Sequence, residues 1–426
     1  MEYKKRIIDD ALDLKLESFG AALIVGPKGC GKTTSAKQKA KSIVEFQDEE
    51  QRENLLEIAN TAPSKLLIGD KPRLFDEWQD APKLWGVIRK SIDDLDENGL
   101  YILTGSTSKD VQKPHTGTLR ISQLKMYPMS LYESGESNGS VSIMDLFNNP
   151  NSYDGCISDL TIDGLIFTIC RGGRPKSLSN KTVRSQLEVA KDLYFQTYSI
   201  DISNIDGIKR NPRIAQAVLE SYSRNICTLA KEKIILTDVS SNFYITQPTF
   251  DDYISALEKL YIIEDIDAWC PAIRSKSAIR SSKKRNLIDP SIAVAAMGLS
   301  PEYFDRDFKT LGFLFESLCI RDLKIYSSAF DGYVNYYHDR YGLEADCVLR
   351  LNDGRYALIE FKLGESGVEE GAKHLNKLEE LIKKYNETEK QVPIRLPDLK
   401  LIITGTKYGY KRDDGILVVP IGCLKN

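Results

Sequence analysis

The sequence predicts an α/β protein in which a parallel sheet with helices on both faces is followed by two smaller domains. Three stretches of the 426-residue chain carry this prediction. The first is a strand, a glycine-rich loop and a helix at residues 21–39. The second is an apolar strand that ends in two acids, at residues 73–77, and the third is a hairpin of alternating strands at residues 343–362. Composition agrees, since 42% hydrophobic and 28% charged residues are ordinary for a globular protein.

The first stretch, AALIVGPKGCGKTTSAKQK, contains the G-x-x-x-x-G-K-[ST] pattern of a phosphate-binding loop. Glycine lacks a Cβ, so the backbone can turn sharply and point several N–H donors at a triphosphate. The helix that follows adds its N-terminal N–H groups and its dipole. Lys32 is predicted to reach the β- and γ-phosphates, and the Thr33 hydroxyl to ligate Mg²⁺. The predicted nucleotide-binding residues are Gly26, Pro27, Lys28, Gly29, Cys30, Gly31, Lys32, Thr33 and Thr34.

Two further strands complete the predicted nucleotide site. The segment RLFDEWQ ends its apolar run at Asp76 and Glu77. Asp76 is predicted to hold the Mg²⁺ shell, and Glu77 to polarise the attacking water as the catalytic residue. Residues 100–106 form another buried strand with small polar residues at its end, where Thr104 and Ser106 are candidate sensors of the γ-phosphate. A simple turn at the end of this strand is the alternative interpretation.

Charge and cysteine content limit the cellular compartment and the binding partners that the sequence predicts. The formal net charge is −3, so any nucleic-acid site must be local. The eight cysteines are scattered and form no C-x-x-C pair, which indicates reduced thiols and excludes a disulfide framework. No apolar run approaches the roughly 20 residues of a membrane span, and the charged N-terminus does not resemble a signal peptide. The sequence therefore predicts a cytoplasmic protein.

The middle of the chain is predicted to be mainly helical. A helix at residues 5–19 precedes the loop strand, and residues 136–200 form a helical extension that packs on the nucleotide-binding core. From residue 201 the pattern changes. A helix at 213–230, a second at 249–260 and a strand at 261–266 follow one another in a winged-helix-like order.

A basic stretch, RSKSAIRSSKKR, follows at residues 274–285 with six basic residues and no acid. As a wing or loop that contacts phosphates, it would supply affinity for nucleic acid without sequence readout. The alternative is a solvated basic loop. The candidate nucleic-acid residues are Arg274, Lys276, Arg280, Lys283, Lys284 and Arg285.

The hairpin near the C-terminus is signalled by Asn-Asp-Gly between two alternating strands. If residues 352–354 form the turn, Leu351 pairs with Arg355 and Asp346 lies opposite Glu360. Two carboxylates in this position repel unless a cation lies between them. The sequence therefore predicts a cation on this face of the sheet.

The arrangement resembles the constellation of the PD-(D/E)XK nucleases, with an Asp, a Glu-x-Lys and a preceding helix that bears a Glu. On this resemblance Asp346 and Glu360 hold a divalent metal with Glu316 as helper, and Lys362 orients or activates the attacking water. The alternative is a nuclease fold used as a scaffold, in which Glu344 with Lys362, and Asp346, make ion pairs.

The order of several segments carries a wider resemblance. KPRLFDEWQDAPKLW, LTGSTS, HTGTLRISQLKMYPMSLYESGES and CRGGRP follow one another and resemble the AAA-type ATPases with a C-terminal domain of unknown function, DUF4143. The resemblance implies an AAA/ASCE-type P-loop core, a winged-helix-like domain and a restriction-endonuclease-like domain. It implies that Arg120 is a γ-phosphate sensor or finger, the alternative being a surface arginine. Arg174 stands where the family usually has an aromatic residue.

We expect four segments: a P-loop ATPase core at 1–135, the helical extension at 136–200, the winged-helix-like domain at 201–300 and the nuclease-like domain at 301–426. ATP is favoured over GTP because the segment from Asn180 to Val183 lacks the Asp of a guanine-reading element. The predicted function is an ATP-hydrolysing protein that couples nucleotide state to a module handling DNA or RNA, with ATP and Mg²⁺ as ligands. The alternative is an ATP-gated regulator that docks a second copy or another protein.

Overall fold

The computed structural model describes residues 3–105, 117–270, 282–339, 342–388 and 393–426. Within the first part of these residues, five strands form one parallel sheet in the order β2-β3-β4-β1-β5. β1 lies between β4 and β5 and is buried along its whole length, as expected of a central strand covered on both faces. The strands are β1 (Ala21–Val25), β2 (Ser42–Glu45), β3 (Arg73–Asp76), β4 (Tyr101–Gly105) and β5 (Ile121–Lys125).

Helices cover both faces of this sheet. α1 (Ile8–Ser18) and α2 (Lys32–Lys39) share a core with Ile24, Leu74 and Ile102. α3 (Arg52–Thr61) and α4 (Leu84–Leu95) pack with the alternate residues of the same strands, which form a second core. The predicted parallel sheet with helices on both faces is therefore confirmed.

A mainly helical region follows. The predicted strand at 261–266 is represented by two isolated bridges, Ile263 to Leu287 and Ile266 to Lys284. None of the described helices is long and apolar enough to cross a membrane. The helices of this region are α5 (Leu131–Ser134), α6 (Ile143–Asn148), α7 (Ile162–Arg171), α8 (Pro175–Ser179), α9 (Val183–Gln196), α10 (Ile202–Asn204), α11 (Pro212–Arg224), α12 (Glu232–Ser240), α13 (Gln247–Lys259) and α14 (Pro290–Ala296).

The C-terminal region is a mixed sheet in the order β7-β12-β13-β11-β10-β9-β8. β10, β11 and β13 run parallel, and the other pairs are antiparallel. Two long helices, α15 (Phe308–Ser327) and α16 (Val368–Thr388), pack against it, and β6 pairs with β14 apart from it. The strands are β6 (Val141–Ser142), β7 (Cys156–Ile157), β8 (Tyr333–His338), β9 (Glu344–Arg350), β10 (Tyr356–Lys362), β11 (Leu399–Thr404), β12 (Tyr408–Lys411), β13 (Leu417–Pro420) and β14 (Leu424–Lys425).

The hairpin register follows the turn chemistry. The Leu351 N–H donates to the Arg355 carbonyl at 2.8 Å, and the paired residues run from Arg350 and Tyr356 to Cys347 and Ile359. Continued by one step, this register puts Asp346 opposite Glu360, and the Asp346 carboxylate accepts from the Phe361 N–H at 2.9 Å. Cys347 and Ile359 face the core that includes α15, whereas Val348 and Leu358 face the core that includes α16. The sheet is therefore covered on both faces.

Candidate functional site

The glycine-rich loop connects β1 to α2 at the carboxyl edge of the parallel sheet. Gly26, Gly29 and Gly31 have φ angles of +150°, +70° and +107°, which side chains with a Cβ rarely adopt. A Cβ on Gly26 would lie 2.2 Å from the Met126 backbone oxygen. The backbone of the loop therefore takes a shape that only glycine permits at these positions.

Lys32 lies inside the curve of this loop. Its Nζ donates to the Gly26 and Pro27 carbonyls, each at 2.9 Å, and only 5% of the residue is exposed. Thr34 follows it in the first turn of α2. The ammonium thus stands beside the backbone N–H groups that a phosphate would meet.

Two strands and one helix bring a carboxylate and two hydroxyls together. The Thr33 hydroxyl donates to Asp76 Oδ1 at 2.7 Å, and the Thr104 hydroxyl donates to the same oxygen at 2.5 Å. Asp76 and Thr104 are register partners at the ends of β3 and β4, and Ile24 of β1 pairs with Thr104 on the other side. These oxygen donors are of the kind that Mg²⁺ prefers. Ser106, the second candidate sensor, lies outside the described residues.

Glu77 occupies a left-handed backbone conformation, with φ of +52°, directly after Asp76. This conformation is uncommon for residues other than glycine, and it turns the chain out of β3. The Gln79 amide donates a short hydrogen bond to Glu77 Oε2. A cavity of about 450 Å³ opens beside Glu77 and is also lined by Lys28, Arg52 and Asp201. Glu77 therefore lies at the wall of a polar cavity next to the loop.

Arg120 lies at the edge of the sheet opposite the phosphate loop. Its carbonyl accepts from the N–H of Ala21, the first residue of β1, and Ile121 pairs with Ala21 in the parallel register. The loop begins at the other end of β1, and five strand residues span roughly 16 Å. The Arg120 Nε instead bonds Asp93 of α4 at 2.5 Å. Arg120 therefore does not contact the phosphate loop of its own chain, and its role as a γ-phosphate finger stays a prediction.

A different arginine, Arg174, contacts the loop. It precedes α8 and is only 3% exposed. Its Nε donates to the Lys28 carbonyl at 3.2 Å, and its Nη1 bonds Asp289 Oδ2 at 3.4 Å. Nη2 has no hydrogen-bond partner among the described residues. Nη2 and Nε share one edge of the planar guanidinium, so the free N–H group faces the side of the loop.

Sequence reasoning missed Arg174, because an aromatic residue was expected at this position. The available signal in the sequence was the GG-x-P turn that contains Arg174. A Cβ on Gly29 would lie 3.9 Å from the Arg174 Cδ, and one on Gly31 would lie 3.6 Å from the Pro175 Cγ. The turn therefore packs directly against the glycines of the loop.

Ion pairs connect the loop region to the rest of the molecule along two routes, one through Lys28 and one through Arg174. Lys28 of the loop bonds Asp201 Oδ1 at 2.5 Å, and Asp201 is 5% exposed. Asp289, which holds Arg174, also binds Arg321 of α15 at 3.3 Å. All three members of this second group are buried, and Asp322 beside Arg321 accepts from the Leu131 N–H at 2.9 Å. Charged groups thus join the phosphate loop to the long helix of the C-terminal region.

A further ion cluster, half-buried, is centred on Glu264. Its carboxylate binds Lys324 of α15 at 3.0 Å, the Tyr127 hydroxyl at 3.0 Å and Lys125 of β5 by a short contact. Burial alone raises the pKa of Glu264, but the two ammonium groups outweigh it and lower the pKa to about 2. Glu264 therefore holds the parallel sheet and α15 to one another as an ionised carboxylate.

The predicted metal site of the C-terminal sheet does not assemble. Glu316 of α15 binds Lys284 at 2.6 Å, and the same ammonium contacts the Asp346 carbonyl at 3.3 Å. Burial disfavours this ammonium, but Glu316 and Asp346 outweigh it and raise the pKa of Lys284. Glu360 pairs with Lys362 at 2.9 Å. In the described ranges no three His, Cys, Asp or Glu side chains are placed to hold a metal ion.

The nuclease-type metal set of Glu316, Asp346 and Glu360 is therefore a prediction that the structure contradicts. Lysines lie against two of these carboxylates, but burial and the neighbouring Asp346 outweigh them and raise the pKa of Glu316 and of Glu360 to about 8. Glu360 and Lys362 do lie together as predicted, and one Glu360 oxygen and the His374 Nδ1 have no hydrogen-bond partner in the described part of the chain.

The basic stretch also departs from expectation. Arg274, Lys276 and Arg280 lie outside the described residues. Lys284 and Arg285 are each 5% exposed and bind acids, Lys284 to Glu316 and Arg285 to Asp265 at 2.5 Å. Buried, paired cations cannot reach nucleic-acid phosphates, so these two assignments are wrong. Lys283 remains exposed, with Asp267 at 3.9 Å.

Comparison with protein-family models identifies three segments. Residues 18–135 match the AAA domain family AAA_14, residues 162–303 match a domain of unknown function, DUF8612, and residues 311–424 match a second domain of unknown function, DUF4143. No curated protein matches the sequence.

Two solved structures illustrate the likeness to known folds. The Walker-type ATPase PABY2304 of Pyrococcus abyssi is 14% identical with a TM-score of 0.40, over 68% of this chain and 94% of that one. A Signal Transduction ATPase with Numerous Domains (STAND) protein with a tetratricopeptide repeat sensor, PH0952 from Pyrococcus horikoshii, is 13% identical with a TM-score of 0.24. That match covers 75% of this chain and 48% of the other. Both TM-scores lie below 0.5, so neither structure defines the fold of this chain.

Proposed function

Because this chain joins an AAA ATPase domain to a C-terminal DUF4143 domain, we propose that it is an ATP-hydrolysing switch whose nucleotide state acts on the DUF4143 domain. The observation that carries the proposal is the convergence of Thr33, Thr104 and Lys32 around one carboxylate and one glycine-rich loop. Each side chain has a distinct task in phosphoryl transfer.

In this proposal Lys32 leaves the two carbonyls of the loop and binds the β- and γ-phosphates. Thr33 and Asp76 would hold Mg²⁺, which would supply positive charge to neutralise the triphosphate. Thr104 orients Asp76 through their shared hydrogen bond. Glu77 exchanges its bond from Gln79 for the attacking water, which it holds in the adjoining cavity. The free N–H group of Arg174 donates to a phosphate oxygen.

The coupling half of the proposal rests on the charged contacts of the loop. Lys28 and Arg174 each bond an acid outside the AAA domain, and Arg174 leads through Asp289 to α15. A phosphate that attracts either cation weakens or redirects these contacts. The nucleotide therefore binds the protein more tightly in one arrangement of the DUF4143 domain than in another. A switch requires this difference in affinity.

For the output, we infer that the DUF4143 domain docks a protein partner rather than cutting DNA or RNA. This is the regulator alternative of the sequence analysis. Support comes from the lysines that pair with the carboxylates, Lys284 with Glu316 and Lys362 with Glu360. Each lysine gives its carboxyl group a cationic partner other than a metal, although burial and Asp346 still raise the pKa of both carboxyl groups to about 8.

The ATPase proposal is tested by hydrolysis of ATP in the presence of Mg²⁺. We expect the Lys32→Ala variant to lose at least about a hundredfold in turnover, because the γ-phosphate loses its charged partner. Lys37→Ala is the matched control, since Lys37 lies on the same helix but pairs with Glu45 at the surface. If the wild type and Lys32→Ala hydrolyse ATP at the same rate, the phosphate loop is not the site of hydrolysis.

A further inference from the structure

Two cysteines that the nucleotide site does not use lie together where β7 meets the C-terminal segment. Cys156 is partly exposed in β7, and Cys423 is buried just before β14. Asn138 joins the two segments, because its backbone N–H donates to the Gly422 carbonyl at 2.9 Å and its side-chain amide to the Ile157 carbonyl at 2.8 Å. The Tyr153 hydroxyl lies 3.3 Å from the Cys156 sulfur. The chain thus holds a reachable thiol beside a second, protected one.

The surrounding backbone is shaped around this sulfur. Gly409 of β12 is the register partner of Cys156 and hydrogen-bonds its sulfur through the backbone. A Cβ at position 409 would lie 2.5 Å from the Cys156 Sγ and 2.3 Å from the Tyr153 hydroxyl. Glycine is therefore required for the sulfur and the hydroxyl to occupy this space together.

These contacts favour the thiolate. Hydrogen bonding from Cys423, with a further contribution from the Gly409 backbone, outweighs burial and lowers the pKa of Cys156 to about 7, whereas the same contact raises the pKa of Cys423. The Tyr153 hydroxyl donates its own proton to the Val418 carbonyl at 2.8 Å. Burial instead raises the pKa of four other cysteines: Cys170, Cys227, Cys319 and Cys347. Near neutral pH Cys156 is therefore a far better nucleophile than these four.

We propose that Cys156 and Cys423 are a peroxide-modifiable pair that closes into an intramolecular disulfide. The Cys156 thiolate attacks one oxygen of a hydroperoxide; the S–O bond forms, the O–O bond breaks, and the leaving oxygen takes a proton as an alcohol or water. The Cys423 sulfur then attacks the Cys156 sulfenic acid; the S–S bond forms, and the hydroxyl leaves as water with the Cys423 proton. The two thiols lose two electrons, and the peroxide gains them.

The location gives the bond a structural consequence. Cys156 lies between the segments that match the AAA domain and DUF8612, whereas Cys423 lies within the DUF4143 match. The disulfide ties the connection after the AAA domain to the end of the DUF4143 domain. This inference does not depend on ATP hydrolysis.

The test is peptide mapping of the full-length native chain by mass spectrometry after exposure to hydrogen peroxide. We expect the Cys156 and Cys423 peptides to appear cross-linked, with the mass of two hydrogens lost, and to separate on reduction. In Cys423→Ser the second step is blocked, so Cys156 is expected to accumulate as a sulfenic acid that dimedone traps. Cys270→Ser is the matched control, because Cys270 is also partly exposed, and it should still form the cross-link.

Two results would overturn the proposal. One is wild-type protein in which hydrogen peroxide oxidises Cys156 no faster than Cys270. The other is peroxide-treated wild-type protein in which Cys156 is oxidised but Cys423 remains a free thiol. Both are measured on the unmodified chain, so neither depends on the folding of a variant.

Discussion

Arg174 carries a buried N–H group without a partner among the described residues, beside a loop shaped for phosphates. Leaving a buried donor unsatisfied costs about 1–3 kcal/mol. A phosphate oxygen at the loop removes this cost and adds a charge-assisted hydrogen bond. The same guanidinium bonds Asp289, so a phosphate that binds its free N–H group also changes the contact between Arg174 and Asp289.

We predict that Arg174→Met lowers the affinity for ATP by roughly tenfold or more, because a hydrogen bond to a charged group contributes about 1.5–3 kcal/mol. Met keeps the length of the side chain, and Asp289 keeps Arg321 as its second partner at 3.3 Å. Isothermal titration with ATP in Mg²⁺ buffer measures the effect.

Arg171→Met is the control for this substitution. Arg171 is also buried and pairs with Glu136 at 2.6 Å, but neither residue contacts the loop. It should lose stability without losing ATP affinity. If both variants bind ATP equally well, Arg174 has no contact with the nucleotide.

At the scale of elements, the ion cluster of Glu264 fixes β5 and α15 to the loop after α13. Its pKa of about 2 in the folded protein lies below the ordinary value of 4.5. A lowered pKa stabilises the fold above pH 4.5, and this contribution disappears as the pH falls toward 2. The difference corresponds to about 3 kcal/mol at neutral pH.

We therefore predict that Glu264→Gln lowers the free energy of unfolding by about 3 kcal/mol at pH 7, since the amide cannot balance two half-buried ammonium groups. At pH 3 the difference in the free energy of unfolding between variant and wild type should be smaller by about half or more. Urea titrations at the two pH values measure both numbers.

Glu188→Gln serves as the reference, because Glu188 is exposed on α9 and its removal should change stability by less than about 0.5 kcal/mol. A Glu264→Gln gap that is constant between pH 3 and pH 7 would contradict the ionised cluster.

The elements that could be predicted from sequence are those set by local chemistry. The Asn-Asp-Gly turn fixed the register of β9 and β10, so the opposition of Asp346 and Glu360 followed from the residues alone. The phosphate loop could be predicted for the same reason, because its motif is contiguous in the sequence. The position of Arg120 could not be predicted, because it depends on which edge of a parallel sheet begins β5.

Lys284 was misassigned for a different reason. A run of basic residues does not reveal which member turns inward, and its partner Glu316 is 32 residues away in sequence. The same limit hid Arg174, whose partner Asp289 is 115 residues away. Long-range ion pairs depend on packing that no local pattern encodes.

At the scale of the whole molecule, the paired carboxylates of the DUF4143 domain predict no cutting of nucleic acid. We expect no cleavage of single- or double-stranded DNA or RNA with Mg²⁺ or Mn²⁺, with or without ATP. Gel assays with purified protein measure this. Metal-dependent cleavage that disappears in Lys362→Ala, but persists in Lys283→Ala, would restore the nuclease alternative.

The central claim is that nucleotide state reaches the DUF4143 domain through α15. Hydrogen–deuterium exchange tests it most directly, because backbone protection reports the local stability of each element. The Glu77→Gln variant, which we expect to bind ATP without hydrolysing it, is compared with ATP and with ADP in the presence of Mg²⁺. The account predicts that protection differs between the two nucleotides in α15 and α14 as well as in the loop. Differences confined to residues 18–135 would contradict it.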